Sequence, residues 1–161
     1  MIFDNSTVRR QDRLLDESRA LHLLREGEYG VLSLVDSEGN PYGIPVNYVW
    51  DGHDHLYLHG APVGKKLDCI RQHPEASFCV VGHTHLLPDK FTTGYESIVL
   101  KCRAQIGLSA DERHHALQLL LEKYSPDDIT IGLKYAEKSF HRTEIIRLDI
   151  KEFSGKQKKV D

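Results

Sequence analysis

The sequence is poor in cysteine and has no long apolar run. Its 161 residues include three cysteines, Cys69, Cys79 and Cys102, which are widely spaced and form no CxxC pair. A disulfide framework or a thiolate zinc site is therefore not indicated. No stretch approaches the roughly 18 uninterrupted apolar residues of a membrane helix, and the N-terminus lacks the apolar centre of a signal peptide. We expect a cytoplasmic protein without a membrane partner.

Basic residues are no more abundant than acidic ones. The chain has 21 Lys and Arg against 24 Asp and Glu, which gives a formal net charge of −3. Proteins that bind nucleic acid need a basic surface to neutralise phosphates, so we expect no nucleic-acid partner. The length suits one domain with a substantial core. We predict a helical arm over about 1–27, a barrel over about 28–152 and a tail over 153–161.

Several catalytic and metal-binding motifs are absent. The serine motif GxSxG and the dinucleotide motif GxGxxG do not occur, so any nicotinamide would act transiently or through a partner reductase. Ten histidines are present, but no HExxH or cysteine–histidine array accompanies them, and we predict no metal ligand. The close histidine pairs are His53 and His55, His83 and His85, and His114 and His115.

The hydrophobic pattern predicts more strands than helices. Helices are expected over 16–26, over 64–71 and, behind a capping box at Ser109, over 109–124. The segment 83–95 is predicted to be a loop. Tight-turn signals between the first three strands leave no room for crossover helices, which favours a small antiparallel barrel with peripheral helices over a βαβ sheet. The six predicted strands cover 29–35, 42–50, 55–59, 76–82, 97–106 and 142–150.

The sharpest local signal is a loop that runs from His59 to Lys66. It leads from the end of a strand through Gly60 and Gly64 into the first turn of a helix that carries Lys65 and Lys66. Unpaired N–H groups, the helix dipole and two ammonium groups would meet there, as a phosphate site requires. A solvated turn is the alternative. The glycines are one residue too close for a Walker A loop, and a lysine replaces its hydroxyl residue, so a metal-dependent nucleotidase is disfavoured.

Five segments together carry a family resemblance. In this order and spacing they resemble the 5-nitroimidazole resistance (Nim) proteins, a branch of the flavin-binding split barrels that are similar to pyridoxamine 5′-phosphate oxidase. The segments are Arg9-Arg10-x-x-Arg13, Gly39 to Tyr48, His59 to Asp68, Thr92-Thr93-x-Tyr95-x-Ser97, and Phe153 to Lys156.

The resemblance implies a mainly β fold, a six-stranded antiparallel split barrel of Greek-key type with peripheral helices. It also implies a homodimer that holds a flavin at its interface with residues of both chains. FMN is expected, with FAD or a deazaflavin as alternatives. By the family pattern, the phosphate would meet Lys65, Lys66 and Ser97, with Tyr95 alongside. The isoalloxazine would lie along Pro45, Val46, Asn47 and Tyr48, and the adjoining loop would contribute His59, Gly60, Ala61 and Gly64.

The resemblance further implies a flavin-dependent oxidoreductase. Its substrate would be a small nitroaromatic, a separate donor would supply electrons, and His59 would be the catalytic residue that gives a proton or hydrogen bond to a developing oxyanion. Alternatives are an oxidase-like enzyme with another substrate and a non-catalytic flavin- or haem-binding protein, for which His59, His83 and His85 could be axial ligands. Two positions depart from the family pattern. Glu96 stands where arginine is expected, and its carboxylate would be unfavourable near a phosphate, while Gly60 replaces a serine.

Overall fold

Three long strands form the centre of the fold. In the computed structural model, which describes residues 1–160, β6, β7 and β8 pair side by side along most of their length. The strands are β1 (Ile2–Phe3), β2 (Tyr29–Val35), β3 (Pro41–Asn47), β4 (Val49–Trp50), β5 (His55–Gly60), β6 (Glu75–Leu87), β7 (Thr92–Gln105) and β8 (Glu144–Lys158). The helices are α1 (Glu17–Glu26), α2 (Lys65–Gln72), α3 (Ala110–Tyr124) and α4 (Ile129–Ser139).

The strands of residues 1–160 form one sheet in the order β3-β2-β6-β7-β8-β5-β4, with β1 beside β8. Neighbours along this order are antiparallel, and only β1 runs parallel to its partner. Irregularities in pairing, near Val81 and near Lys101, interrupt the two long ladders. The prediction of a mainly β, antiparallel split barrel with peripheral helices is confirmed, with eight strands instead of six.

The inner face of the sheet encloses the main core. Alternate residues of β2 are buried and exposed, so Leu32 and Leu34 point inward, where they join Phe78, Leu100 and Leu148 from the other strands. Helices α1 and α2 add further apolar side chains to this cluster. Each fully buried leucine contributes about 2 kcal/mol of transfer free energy.

The outer face is covered only in part. Helix α3 packs over β4, β5 and the start of β8, where Val49, Tyr57, Ala116, Leu120 and Ile145 form a second buried cluster. Its first turn is capped as predicted, because the Ser109 hydroxyl accepts the Glu112 N–H at 3.2 Å. The outer side of β2, β6 and β7 lacks such a cover within residues 1–160.

Three predictions about the elements are wrong, and one helix was missed. Segment 83–95 forms the ends of β6 and β7 and the tight turn between them, because its polar residues pair across the hairpin. Helix α4 was missed, since its β-branched residues and Gly132 lower helix propensity. The predicted strand 42–50 breaks at Tyr48. The tail predicted at 153–161 is strand β8 as far as Lys158, because Phe153 points into the core; residue 161 lies outside the described residues.

The C-terminal end of α3 is fastened to the break between β3 and β4. The Tyr124 hydroxyl accepts the Tyr48 N–H at 3.0 Å and shares its own proton between the carbonyls of Glu28 (2.6 Å) and Tyr48 (2.8 Å). The Lys123 ammonium donates to the carbonyls of Gly27 (2.7 Å) and Tyr48 (2.8 Å). These bonds fix the chain immediately after Asn47.

Replacing Tyr124 with phenylalanine should therefore lower the free energy of unfolding by about 1–3 kcal/mol, because the fully buried Tyr48 loses the acceptor of its N–H. Urea denaturation measures the change. Tyr135→Phe is the matched control, because Tyr135 is a largely exposed tyrosine of α4. Equal midpoints for Tyr124→Phe and the unmodified protein would contradict this role.

Candidate functional site

The loop after β5 leads into the uncapped first turn of α2. Gly64 precedes α2 with a φ of +141°, a conformation that favours glycine, and no side chain of the described residues caps the first turn of the helix. The first N–H groups of α2 thus point out of the helix beside two lysines. They border a small cleft of about 180 Å³ lined by Tyr42, Ile44, Ala61, Val63, Gly64, Lys65, Lys66 and Leu67.

The two lysines of this turn have different surroundings. The Lys65 ammonium lies 3.6 Å from the Asp36 carboxylate and 4.7 Å from the centre of the Tyr42 ring. The Lys66 ammonium would lie 3.5 Å from a Cβ placed on Gly60. Glycine at position 60, where the family pattern has serine, thus leaves open the space next to this cation.

His59 lies next to the lysine turn, near the end of β5. Side chains alternate along a strand, so His59 points to the same outer side as Tyr57, but beyond the part that α3 buries. Partial burial of the ring and the nearby Lys66 ammonium lower the pKa of His59. The imidazole is therefore mainly neutral at pH 7 and can donate or accept a hydrogen bond.

A cleft of about 730 Å³ opens beside His59. Asn47 borders it from the end of β3, and helices α3 and α4 form the opposite walls. Sequence reasoning missed these walls; the signal it could have used was the leucine-rich face of α3. The lining residues are Asn47, His59, Leu117, Leu120, Leu121, Tyr124, Ser125, Asp128, Ile131, Gly132, Tyr135, Ala136, Ser139 and Thr143.

The segment from Pro45 to Tyr48, predicted to follow a flavin ring, divides between two sides of the sheet. Pro45 and Asn47 are exposed on the outer side, whereas Val46 packs partly against the core. Tyr48 is 0% exposed, and its hydroxyl donates to the Leu24 carbonyl at 2.7 Å. Its backbone groups are occupied by α3, as described above. Tyr48 is thus a core residue whose side chain and backbone already have partners, and its contact with a flavin stays a prediction.

Tyr95 and Ser97 lie on β7, on the same outer side as Val99. Ser97 pairs with Lys156 of β8. Burial alone would raise the pKa of Tyr95, but hydrogen bonds from Lys156 and Arg13 lower it below the usual value. Sequence reasoning quoted both cations as motif residues and gave them no role. A second cationic patch therefore surrounds Tyr95.

A single chain does not bring the lysine turn and the Tyr95 patch together. The register aligns Asn47 with Tyr29 of β2 and Ser97 with Val81 of β6, so β2 and β6 separate the two positions by about 14 Å. His59 pairs with Ile145 of β8, on the order of 35 Å along that strand from Lys156. The lysine turn and the Tyr95 patch are thus too far apart to hold one phosphate within a single chain.

Glu96 does not face the Tyr95 patch. Its side chain points to the opposite side of β7, where Arg19 of α1 binds it through two hydrogen bonds of 2.8 and 2.5 Å. These bonds lower the pKa of Glu96 and neutralise its charge locally. The expected conflict between this carboxylate and a phosphate at Tyr95 is therefore relieved.

His83 and His85 lie apart from His59. They line a third cleft, of about 640 Å³, together with Arg19, Tyr95 and Lys158. Within residues 1–160, no three histidine, cysteine or acidic side chains lie close enough to hold a metal ion. None of the helices in this part of the chain has the length and apolar character needed to cross a membrane.

The sequence matches the family model for pyridoxamine 5′-phosphate oxidase over residues 16–157. Because this match spans most of the chain, the protein belongs to the pyridoxamine 5′-phosphate oxidase family. The resemblance based on the sequence motifs is thereby confirmed at the level of the family. A search of curated proteins gives no significant match.

Solved structures share the fold at low sequence identity. A candidate 5-nitroimidazole antibiotic resistance protein from Bacteroides thetaiotaomicron has a TM-score of 0.76 and 20% identity, over 90% of this chain and 86% of its own. An FAD-binding protein from Mesorhizobium loti has a TM-score of 0.63 and 23% identity, over 91% and 98%. The FAD and haem binding protein from Mycobacterium smegmatis has a TM-score of 0.74 and 19% identity, over 90% and 72%.

Replacing Lys66 with methionine should raise the pKa of His59, because a nearby ammonium disfavours the protonated imidazole. NMR titration of the His59 ring protons in the ligand-free protein measures this pKa. Lys65→Met is the matched control, because Lys65 lies against Asp36. A His59 pKa that stays constant in Lys66→Met, or rises equally in both variants, would contradict the proximity effect.

Proposed function

We propose that this protein is a homodimeric, FMN-dependent oxidoreductase that reduces the nitro group of small nitroaromatic compounds. The observation that carries the proposal is the position of His59, between a lysine-bearing helix start and a largely apolar cleft. A candidate anion site at the lysine turn, a cleft wide enough for a planar ring and the titratable His59 thus lie next to one another.

The turn at Lys65 and Lys66 suits the phosphate of a flavin. The uncapped N–H groups of α2 and the two ammonium groups provide donors and positive charge, and the space beside Gly60 admits close approach. No metal is needed for such a contact. FAD or a deazaflavin would carry a phosphate as well, so this turn does not select among the three cofactors.

The ring of the flavin would lie near Pro45 and Asn47, whose exposed positions end β3. The outer strand of a sheet has unpaired backbone groups, so the backbone of β3, including that of Val46, offers hydrogen bonds to the polar edge of a ring. Gly60, Ala61 and Gly64 would form the adjoining wall. His59 would then face the substrate side.

A second copy of the chain would complete the site with Tyr95 and Ser97. Two observations support this dimer: the separation of the two cationic groups, and the apolar residues that remain exposed on the outer side of β2, β6 and β7. Tyr29 and Val81 are each 58% exposed, and Val31 and Val99 lie beside them. A continuous exposed apolar surface of this kind marks an interaction site.

The chemistry requires both electrons and protons. Conversion of a nitro group to a nitroso group consumes two electrons and two protons and releases water, and a flavin, when bound and reduced by an external two-electron donor, supplies the electrons. His59 would hydrogen-bond the nitro oxygen that gains negative charge and deliver a proton to it. Because its pKa is lowered, the ring is mainly neutral at pH 7 and would act chiefly through its N–H, which donates a hydrogen bond to this oxygen, while the small protonated fraction gives up its proton readily.

The purified protein should take up FMN and show absorption bands near about 375 and 450 nm. After anaerobic reduction by dithionite, addition of a 5-nitroimidazole should restore these bands. His59→Gln should keep the flavin but slow its reoxidation by about 10²–10⁴-fold, the usual contribution of a positioned proton donor. His53→Gln, a change at an exposed histidine of the turn before β5, is the matched control.

Each result separates the alternatives. Reduced flavin that the nitro compound does not reoxidise would overturn the nitroreductase proposal and keep the flavin. A band near about 400 nm instead would indicate haem. Loss of flavin from His59→Gln would make His59 a cofactor ligand. Protein that takes up no FMN would overturn the whole proposal.

Val99→Asp should weaken the dimer at least about tenfold, because burial of an unpaired carboxylate is costly. Light scattering at graded concentrations measures the oligomer, and FMN fluorescence measures the site. Both dimerisation and FMN affinity should fall together. Leu133→Asp, on α4, is the matched control and should change neither. A monomeric unmodified protein that still binds FMN tightly would contradict the two-chain site.

A further inference from the structure

Helix α4 contributes to the cleft without contributing to the core. None of its residues is buried, and Ile131 and Tyr135, which line the cleft, are 69% and 71% exposed. A Cβ on Gly132 would lie 2.4 Å from Leu121 of α3, so glycine allows the two helices to approach closely. The helix therefore presents two large apolar side chains to a ligand space.

The cleft beside His59 has almost no charged side chains. Among the described residues that line it there is no lysine or arginine, and its one carboxylate belongs to Asp128, immediately before α4. The lysines of the α2 turn border a different cleft. A phosphate group held between α3 and α4 would thus find no cation among the lining residues and would meet the Asp128 carboxylate. The ammonium beside His59 is that of Lys66, in the turn assigned to the flavin phosphate.

Several polar side chains of the cleft are already engaged. The Ser139 hydroxyl donates to the Tyr135 carbonyl at 2.9 Å, and the Thr143 hydroxyl donates to the Ser139 carbonyl at 3.0 Å. The Tyr124 hydroxyl serves the backbone at Tyr48. The Asn47 amide donates to the Glu28 carbonyl at 3.1 Å. His59 lines the same cleft, and none of these bonds involves its ring, so it can hydrogen-bond a substrate.

We propose that the cleft between α3 and α4 is a substrate site for uncharged planar aromatic compounds that rejects phosphorylated ones, with Ile131, Tyr135 and Asp128 as its specificity-determining residues. This inference rests on the proposed function, because it names the substrate class of the same site. The substrate proposed for this chain is uncharged, whereas the substrate in the name of its family, pyridoxamine 5′-phosphate, carries a phosphate. Two apolar walls select a flat ring, and Asp128 disfavours an anionic substituent.

A matched pair of ligands tests the proposal directly. 4-Nitrobenzyl alcohol and 4-nitrobenzyl phosphate differ only in the phosphate group. Calorimetric titration of the oxidised, FMN-loaded protein should show at least about tenfold tighter binding of the alcohol. Because binding is measured without turnover, a failure of nitro reduction leaves this test intact, and the same titration can be made without FMN.

Variants locate the selectivity. Ile131→Lys should place a cation in the cleft and bring the two dissociation constants together or reverse their order. Asp128→Asn should strengthen binding of the phosphate ester alone, and Tyr135→Ala should weaken binding of both ligands. Leu133→Lys adds the same charge to α4 at a position that does not line the cleft, so it should leave the ratio unchanged.

Three results would overturn the proposal: equal affinity for the two ligands, no binding of either, or an equal effect of Leu133→Lys and Ile131→Lys. Protein that takes up no FMN but still prefers the alcohol would refute the proposed function and leave the selectivity of the cleft in place. Protein that reduces 4-nitrobenzyl alcohol and 4-nitrobenzyl phosphate equally well, and binds them equally, would refute only the inference about specificity.

Discussion

The pairing of β6, β7 and β8 is the constraint on which the rest of the structure depends. Because side chains alternate along these strands, the sequence that fills the barrel with Phe78, Ile98 and Leu100 also places Val81, Ser97 and Val99 outside. The same pairing holds Lys156 beside Ser97 and far from the strand residues that adjoin His59. The inner face of the sheet is thus buried within one chain, whereas the outer side of β2, β6 and β7 stays exposed.

The helices divide the outer face into two regions with different purposes. Helix α3 covers β4 and β5, and its last residues, Lys123 and Tyr124, hold the chain that follows Asn47. Burial lowers the pKa of Lys123 to about 8. Its ammonium nevertheless donates hydrogen bonds to two carbonyls and lies over the ring of Tyr48. The cleft beside His59 therefore has a rigid floor, whereas α4 forms a wall with no buried residues of its own.

The sequence predicted the local features well, because each has a local cause. Ser109 caps α3 and the turn at Gly64 begins α2, as their patterns indicate, and α1 begins beside Asp16, which caps it. Features that depend on distant contacts were missed. Tyr48 looks like a neighbour of a ligand until α3 is seen to occupy its backbone, and Glu96 looks like an unpaired charge until Arg19 is seen to bind it. The sequence likewise does not say whether the lysine turn and the Tyr95 patch belong to one site, because that depends on how two chains pair.

The central claim is that two chains build one flavin site, and mixed dimers test it most directly. A chain with Lys65→Met and Lys66→Met and a chain with Ser97→Asp should each lose FMN binding as homodimers. Refolded together in equal amounts, they should regain about a quarter of the sites, because only mixed dimers contain one intact pair of half-sites. No recovery of FMN binding in the mixture, with both variants folded and dimeric, would contradict the account.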